Sequence, residues 1–74
     1  MKENIKYFIS VVETGNLLTV ANVNNIFIEE LKLALINLEN SIGVRLIDIS
    51  NIFEVSTTPA GAEFYSFLEL NSSL

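Results

Sequence analysis

The sequence predicts a mainly α-helical fold, a winged helix-turn-helix made of a three-helix core, a small β-hairpin wing and a C-terminal helix. Three observations predict it. Apolar residues recur at helical spacing in separate segments, a glycine follows two of these segments, and two short β-prone segments precede a Thr-Pro helix start. Because 74 residues leave room for one small core, we expect residues 1–74 to form a single domain.

Two helices are expected in the first third of the chain. The first spans residues 3–14, because Gly15 supplies the left-handed conformation that commonly ends a helix. The second begins after an Asn16 cap and ends in a tight turn at Asn24-Asn25. The inward positions of the two helices are predicted to be Ile5, Phe8, Ile9, Val12, Leu17, Val20 and Ala21.

The third helix has the most regular apolar pattern in the sequence. It is expected over residues 28–42, with Gly43 at the position that follows its end. Apolar residues repeat at i, i+4, i+7 and i+11, which is typical of a helix that packs one face on a core. The predicted inward stripe consists of Leu31, Leu35, Leu38 and Ile42.

A hairpin and a last helix complete the predicted fold. Residues 44–49 and 52–57 are β-prone and flank Ser50-Asn51, which predicts a small hairpin that turns at these two residues. The Thr58-Pro59 pair is an N-cap followed by proline at the first helical position. A last helix is therefore expected from Pro59 to about Asn71.

The charge balance of the chain is acidic. Nine acidic residues oppose four basic ones, which gives a formal net charge of -5 at pH 7. The basic residues are Lys2, Lys6, Lys32 and Arg45. A negative field repels phosphate over a Debye length of about 8 Å at physiological salt, so the composition makes DNA binding doubtful.

The composition also bounds the other classes of function. Half of the residues are hydrophobic, more than so small a core can enclose, so an oligomer or a protein partner is expected. With neither cysteine nor histidine, the usual metal ligands are missing, and we expect no cofactor. Glu29 and Glu30 diverge on a helix and no hydroxyl has a histidine partner, which argues against an enzyme. No apolar stretch approaches the ~20 residues that cross a bilayer, so a cytoplasmic protein without membrane contact is expected.

Three stretches of the sequence carry a resemblance to a known family. They are Tyr7-Phe8 with Glu13-Thr14-Gly15, Leu38-Glu39 leading into Ile42-Gly43-Val44-Arg45-Leu46, and Thr58-Pro59-Ala60-Gly61. In this order and spacing the chain resembles, over residues 5–68, the N-terminal winged helix-turn-helix domain of bacterial LysR-type transcription regulators, with about one extra residue in the wing. The resemblance implies that the third helix lies in the major groove of DNA and that the helix from about residue 58, here shorter than in the family, mediates dimerisation. The family's effector-binding domain is missing from these residues, so no small-molecule site is implied unless the chain is a fragment of a longer protein.

The groove-facing positions implied by the resemblance depart from the family pattern. Residues 27–33 replace a small polar stretch, Ile36 and Asn37 replace basic positions, and residues 49–54 of the wing contain neither Arg nor Lys. Base edges are recognised mainly by polar side chains, so direct recognition of bases is expected to be largely lost. The predicted surface of the recognition helix, for protein or DNA, consists of Phe27, Ile28, Glu29, Glu30, Lys32, Leu33, Ile36 and Asn37. The predicted phosphate contacts are Lys6, Lys32 and Arg45. In the alternative interpretation the apolar members of this surface belong to the core.

Three hypotheses for function follow. The main one is a transcription-related module that binds DNA weakly or not at all. It would pair with itself or with a related regulator through the third and last helices, and could antagonise that regulator. Its predicted dimer interface on the last helix consists of Phe64, Tyr65, Phe67 and Leu68. The second hypothesis is an orthodox LysR-type DNA-binding regulator, and the third is an N-terminal fragment of such a protein.

Overall fold

A computed structural model describes residues 2–72 and confirms the mainly helical winged-helix fold. The elements in chain order are α1 (Lys2–Thr14), α2 (Leu17–Asn24), α3 (Ile28–Ile42), β1 (Ile47–Asn51), β2 (Glu54–Thr57) and α4 (Pro59–Ser72). The two strands form one antiparallel hairpin. Within residues 2–72, no helix is both long enough and apolar enough to cross a membrane.

The core lies where α1, α2 and α3 meet the base of the hairpin. Its buried residues are Phe8, Val11, Leu17, Val20, Ala21, Leu31, Leu35, Leu38, Leu46 and Ile47. Three of the four predicted stripe positions on α3 are buried. Ile42 is exposed instead, because it is the last residue of α3 and the chain reverses at Gly43. The predicted face of α1 omitted Val11, which is buried because α1 packs against α2, α3 and β2 together.

The ends of the helices follow from local chemistry. Gly15 and Gly43 have φ of 68° and 89°, the left-handed region that favours glycine, and both were predicted as helix ends. Asn16 caps α2 as predicted, since its side-chain oxygen accepts a hydrogen bond of 3.0 Å from the Thr19 N–H. Asn25 ends α2 with φ of 57°, which directs the chain into α3. These residues therefore define where α1, α2 and α3 end.

The wing differs from the prediction in its register. β1 begins at Ile47 rather than at residue 44, and the hairpin turns at Ile52 and Phe53 rather than at Ser50-Asn51. The register of the two strands shifts near the turn. Ile49 lies opposite Val55 and Asn51 lies opposite Glu54, so Ser50 is an extra residue in β1. The Asn51 side-chain oxygen accepts a hydrogen bond of 2.8 Å from the Phe53 N–H, which stabilises the displaced turn.

The start of α4 is fixed against the end of the wing. The Thr58 hydroxyl donates to the Arg45 carbonyl at 2.6 Å and accepts from the Gly61 N–H at 3.0 Å, which confirms the predicted cap. Gly61 passes so close to Leu46 that a Cβ atom would overlap the Leu46 carbonyl. The Phe64 ring then packs on Phe8, with ring centroids 5.4 Å apart.

Candidate nucleic-acid interface

The outward face of α3 is apolar and acidic. Leu33 and Ile36 expose 58% and 49% of their surface, and Phe27, immediately before the helix, exposes 74%. Glu29, one turn before Leu33, extends the same stripe, because residues i, i+4 and i+7 share one side of a helix. Leu33 and Ile36 therefore lie on the outward face of α3, away from the core.

The other predicted surface residues of α3 are not all exposed. Glu30, Lys32 and Asn37 are exposed, and Lys32 makes no ion pair with residues 2–72. Ile28 is half-buried and packs against the core, because it lies on the same side of α3 as Leu31 and Leu35, so its side chain does not belong to the exposed face. The alternative interpretation placed the apolar residues of this surface in the core. Among Phe27, Ile28, Leu33 and Ile36, it holds for Ile28 alone.

The amino-terminal end of α3 carries two carboxylates. One of them, Glu30, accepts a long hydrogen bond of 3.5 Å from the Phe27 N–H. Glu29 accepts none from residues 2–72. Carboxylates at this end complement the helix dipole and stabilise the helix by about 0.3–1 kcal/mol each. The same charges oppose the phosphate that a helix start otherwise attracts.

The three predicted phosphate contacts lie on different elements. Lys6 is exposed on α1 and Lys32 on α3. Arg45 follows α3; its guanidinium donates to the Ile47 carbonyl at 3.0 Å and lies 3.6 Å from a Glu39 carboxylate oxygen. Arg45 is largely exposed, but Glu39 offsets part of its charge. The cations are thus few, with Lys32 and Arg45 lining one groove beside α3 and Lys6 on a different helix.

Glu39 has a role that the sequence analysis missed. One of its oxygens accepts hydrogen bonds from the N–H groups of Leu46, at 2.7 Å, and Ile47, at 3.0 Å. This carboxylate therefore ties the first residues of the wing to α3. The signal in the sequence is a glutamate seven residues before an apolar pair that opens a strand.

A shallow groove separates α3 from β1. Its lining combines apolar side chains with two of the cations, and it consists of Lys32, Leu35, Ile36, Glu39, Asn40, Arg45, Ile47 and Ile49. The wing beyond it contributes an exposed Phe53 and Glu54 and no basic side chain. Ile36 and Ile49 extend the apolar surface of α3 onto the wing.

The predicted dimer residues on α4 have different surroundings. Phe67 exposes 58% of its surface, whereas Phe64 and Leu68 are half-buried against the core. The Tyr65 hydroxyl donates a hydrogen bond of 2.9 Å to the Glu13 carboxylate. This hydrogen bond is the main cause that raises the pKa of Tyr65 to about 12. Of the four residues, Phe67 is the most available to a second molecule.

Comparison with solved structures places this arrangement in a family. The chain is 30% identical to the DNA-binding domain of BenM in complex with benA site 1 DNA, with a TM-score of 0.82 over 96% of this chain and 83% of that chain. This chain belongs to the LysR-type winged-helix family. It is also similar to oxidized OxyR of Corynebacterium glutamicum, at 29% identity over 99% of this chain and 23% of that chain, with a TM-score of 0.86. Similarity to CbnR, a LysR family transcriptional regulator, covers 96% of this chain and 26% of that chain at 29% identity, with a TM-score of 0.79. No protein-family model and no curated protein sequence matches the chain.

These similarities bear on the three hypotheses unequally. The chain spans most of the isolated BenM domain but only about a quarter of the length of OxyR and CbnR. The LysR-type resemblance is confirmed, and the solved relatives are transcription regulators or domains of them. They favour the second and third hypotheses, a DNA-binding regulator or a fragment of one, over the main hypothesis. The expectation of weak DNA binding and of antagonism gains no support from them.

Proposed function

We propose that this chain is the DNA-contacting winged-helix part of a LysR-type transcription regulator, with α3 presented to the major groove. The observation that carries the proposal is the 30% identity, over nearly the whole chain, to a BenM domain in complex with DNA. In helix-turn-helix proteins the second helix of the motif lies in the major groove with its first residues at the base edges. We expect no catalysis, no cofactor and no effector site within this chain.

The charges of the chain imply that one domain alone has low affinity for DNA. Lys6, Lys32 and Arg45 are the proposed phosphate contacts, and they act against a net charge of -5. Each contact adds a salt slope of about -0.9 to the logarithm of the binding constant, so three contacts give a small electrostatic term. Useful affinity then requires an oligomer that places two domains on successive half-sites.

We further propose that α4 supplies this oligomer. Phe67 is exposed on the outer side of α4, next to the half-buried Leu68, while Phe64 and Tyr65 attach the helix to α1. A second α4 packed against Phe67 and Leu68 would cover apolar surface, in a homodimer or with a related regulator. Phe64 and Tyr65 would then keep α4 in position on α1, so that Phe67 and Leu68 face the second molecule.

A second candidate function is supported by the surface chemistry of α3. Phe27, Leu33 and Ile36 form an exposed apolar face edged by Glu29 and Glu30, which is a composition typical of a protein-binding surface. In this candidate the domain pairs with a DNA-binding regulator and spoils its two-site contact with DNA. In its stricter form, in which the domain binds no DNA at all, this candidate predicts no measurable affinity for duplex DNA at any salt concentration.

A salt titration distinguishes the two candidates. Fluorescence anisotropy with a random-sequence duplex should detect binding by the full chain at about 20 mM salt and its loss by about 150 mM, with a negative slope set by the few contacts. Lys32→Gln should reduce the magnitude of the slope by about 0.9 for each bound domain, or about 1.8 for a dimer, whereas Asn22→Gln, an exposed neutral change on α2, should leave it unchanged. No binding at the lowest salt, in a protein whose dimer is verified by light scattering, would reject the proposed function and favour the second candidate.

A further inference from the structure

We infer that the exposed face of α3 recognises DNA sequence by apolar contact with thymine methyl groups, through Phe27 and Leu33, and by a hydrogen bond from a cytosine amino group to Glu29. The inference rests on the proposed approach of α3 to the major groove. The side chains that replace the family's polar residues on α3 would then themselves contact bases.

The position of the apolar residues carries the first half of the inference. Leu33 lies in the second turn of α3 and Phe27 directly precedes its first turn, the part of a recognition helix that contacts base edges. Both side chains are more than half exposed and face away from the core. Neither can donate or accept a hydrogen bond, and the thymine methyl is the one apolar group that unmodified base pairs present in the major groove.

The difference between the two glutamates carries the second half. Glu30 is engaged with the Phe27 N–H, while Glu29 accepts no hydrogen bond from residues 2–72 and shares the stripe of Leu33. A carboxylate accepts from the cytosine N4 amino group, the pairing that the major groove offers to Glu and Asp. The acceptor atoms of guanine would repel Glu29, so a position facing it should favour cytosine on the contacted strand.

In this arrangement, different residues would determine the sequence specificity and the affinity of DNA binding. Apolar contacts and a carboxylate discriminate between bases without neutralising phosphate, so Phe27, Leu33 and Glu29 would supply sequence preference, whereas the few cations and the oligomer would supply affinity. Loss of one buried methyl group should weaken binding about fourfold, since a buried methylene-sized group contributes about that factor. The affinity for a site with two contacted thymines should therefore fall roughly fifteenfold when both methyl groups are removed.

The test compares duplexes that differ only in methyl groups. Binding selection from a random duplex pool at about 20 mM salt gives the preferred site, and affinity is then measured for this site with thymine and with deoxyuridine at each T position. Deoxyuridine keeps the base pair and removes the methyl. The expected result for the wild-type chain is a thymine preference of about fourfold at one or two positions.

Variants assign the preference to residues. Leu33→Ala and Phe27→Ala should each bring the thymine-to-deoxyuridine ratio at one position close to one, and Glu29→Gln should relax the choice of cytosine at one position. Val23→Ala, which changes a side chain 78% exposed on α2, is the matched control and should keep the wild-type ratios. Because all four residues are exposed, circular dichroism should show each variant folded.

The outcomes are separable from those of the proposed function. Duplex binding with a ratio of one at every position, or a ratio that Leu33→Ala and Phe27→Ala leave unchanged, overturns the inference while the proposed function stands. Absence of duplex binding overturns both. In that case a protein partner becomes the occupant of the α3 face.

Discussion

The Glu39 carboxylate on α3 accepts a hydrogen bond of 2.7 Å from the backbone N–H of Leu46, and this bond couples the recognition helix to the wing. The same oxygen accepts from Ile47 at 3.0 Å and lies 3.6 Å from the Arg45 guanidinium. Leu46 and Ile47 are both buried in the core. One partly buried carboxylate therefore helps to fix the start of the wing beside α3.

Removal of this carboxylate should destabilise the domain. Glu39→Ala leaves two backbone N–H groups without their acceptor, and an unsatisfied buried donor costs about 1–3 kcal/mol. Glu39→Gln keeps one acceptor oxygen and should cost less. Urea unfolding followed by circular dichroism measures both, with the exposed Asn40→Ala as control. Equal stability of Glu39→Ala and Asn40→Ala would contradict the role assigned to Glu39.

Substitution of Gly61 should reverse the usual effect of alanine in a helix. Within a helix, glycine to alanine gains about 1 kcal/mol from propensity alone. At Gly61 the added methyl would overlap the Leu46 carbonyl, and such overpacking costs about 1–3 kcal/mol. Gly61→Ala should therefore lower the thermal midpoint, and a rise in that midpoint would contradict the close packing. Ala62→Gly, on the exposed side of the same helix, gives the effect of propensity without the overlap.

The Tyr65–Glu13 hydrogen bond should make the attachment of α4 sensitive to alkaline pH. The pKa of Tyr65 is raised from 10.0 to about 12, so the neutral phenol is favoured in the folded state. Its contribution to stability is fully present below pH 10 and is lost as the pH rises through about 12. Ultraviolet absorbance of tyrosinate in a Tyr7→Phe background follows Tyr65 alone, since the chain has two tyrosines. Glu13→Gln should move the titration towards pH 10, and an unmoved titration would count against the hydrogen bond.

Substitutions of two phenylalanines on α4 should have different effects, one on association and the other on the stability of the fold. Phe67→Asp should shift a dimer towards monomer in light scattering and leave the unfolding transition of the monomer nearly unchanged, because Phe67 is exposed. Phe64→Ala removes the ring that packs on Phe8 and should destabilise the fold by about 2 kcal/mol. Ile36→Asp, on α3, tests the other candidate surface in the same assay. An oligomer unaffected by Phe67→Asp would exclude this part of α4 from the interface.

Most of the fold could be predicted from local signals. Gly15, Gly43 and the Thr58-Pro59 pair end or start helices through backbone preferences that need no tertiary partner. The register of the wing could not, because it depends on an extra residue at Ser50 and on a side-chain hydrogen bond at Asn51. Val11 was missed because α1 contacts three elements, and a single amphipathic face does not describe such a helix.

The composition of the candidate site was predictable from the sequence, whereas the proposed contact of α3 with DNA was not. The helical wheel placed Leu33 and Ile36 on the outward face, and they are exposed there. The net charge favoured a protein partner, but an average over the whole surface does not say which groups face DNA in an oligomer. Glu39 was missed because its partners are backbone N–H groups, which leave no pattern of complementary side chains in the sequence.

The most direct test of the central claim, that α3 contacts DNA, is a nuclear magnetic resonance titration of the full chain with duplex DNA at about 20 mM salt. We expect the largest amide shifts on residues 27–37, with smaller ones around Arg45 and the wing. Shifts confined to α4, or the absence of any shift, would contradict it.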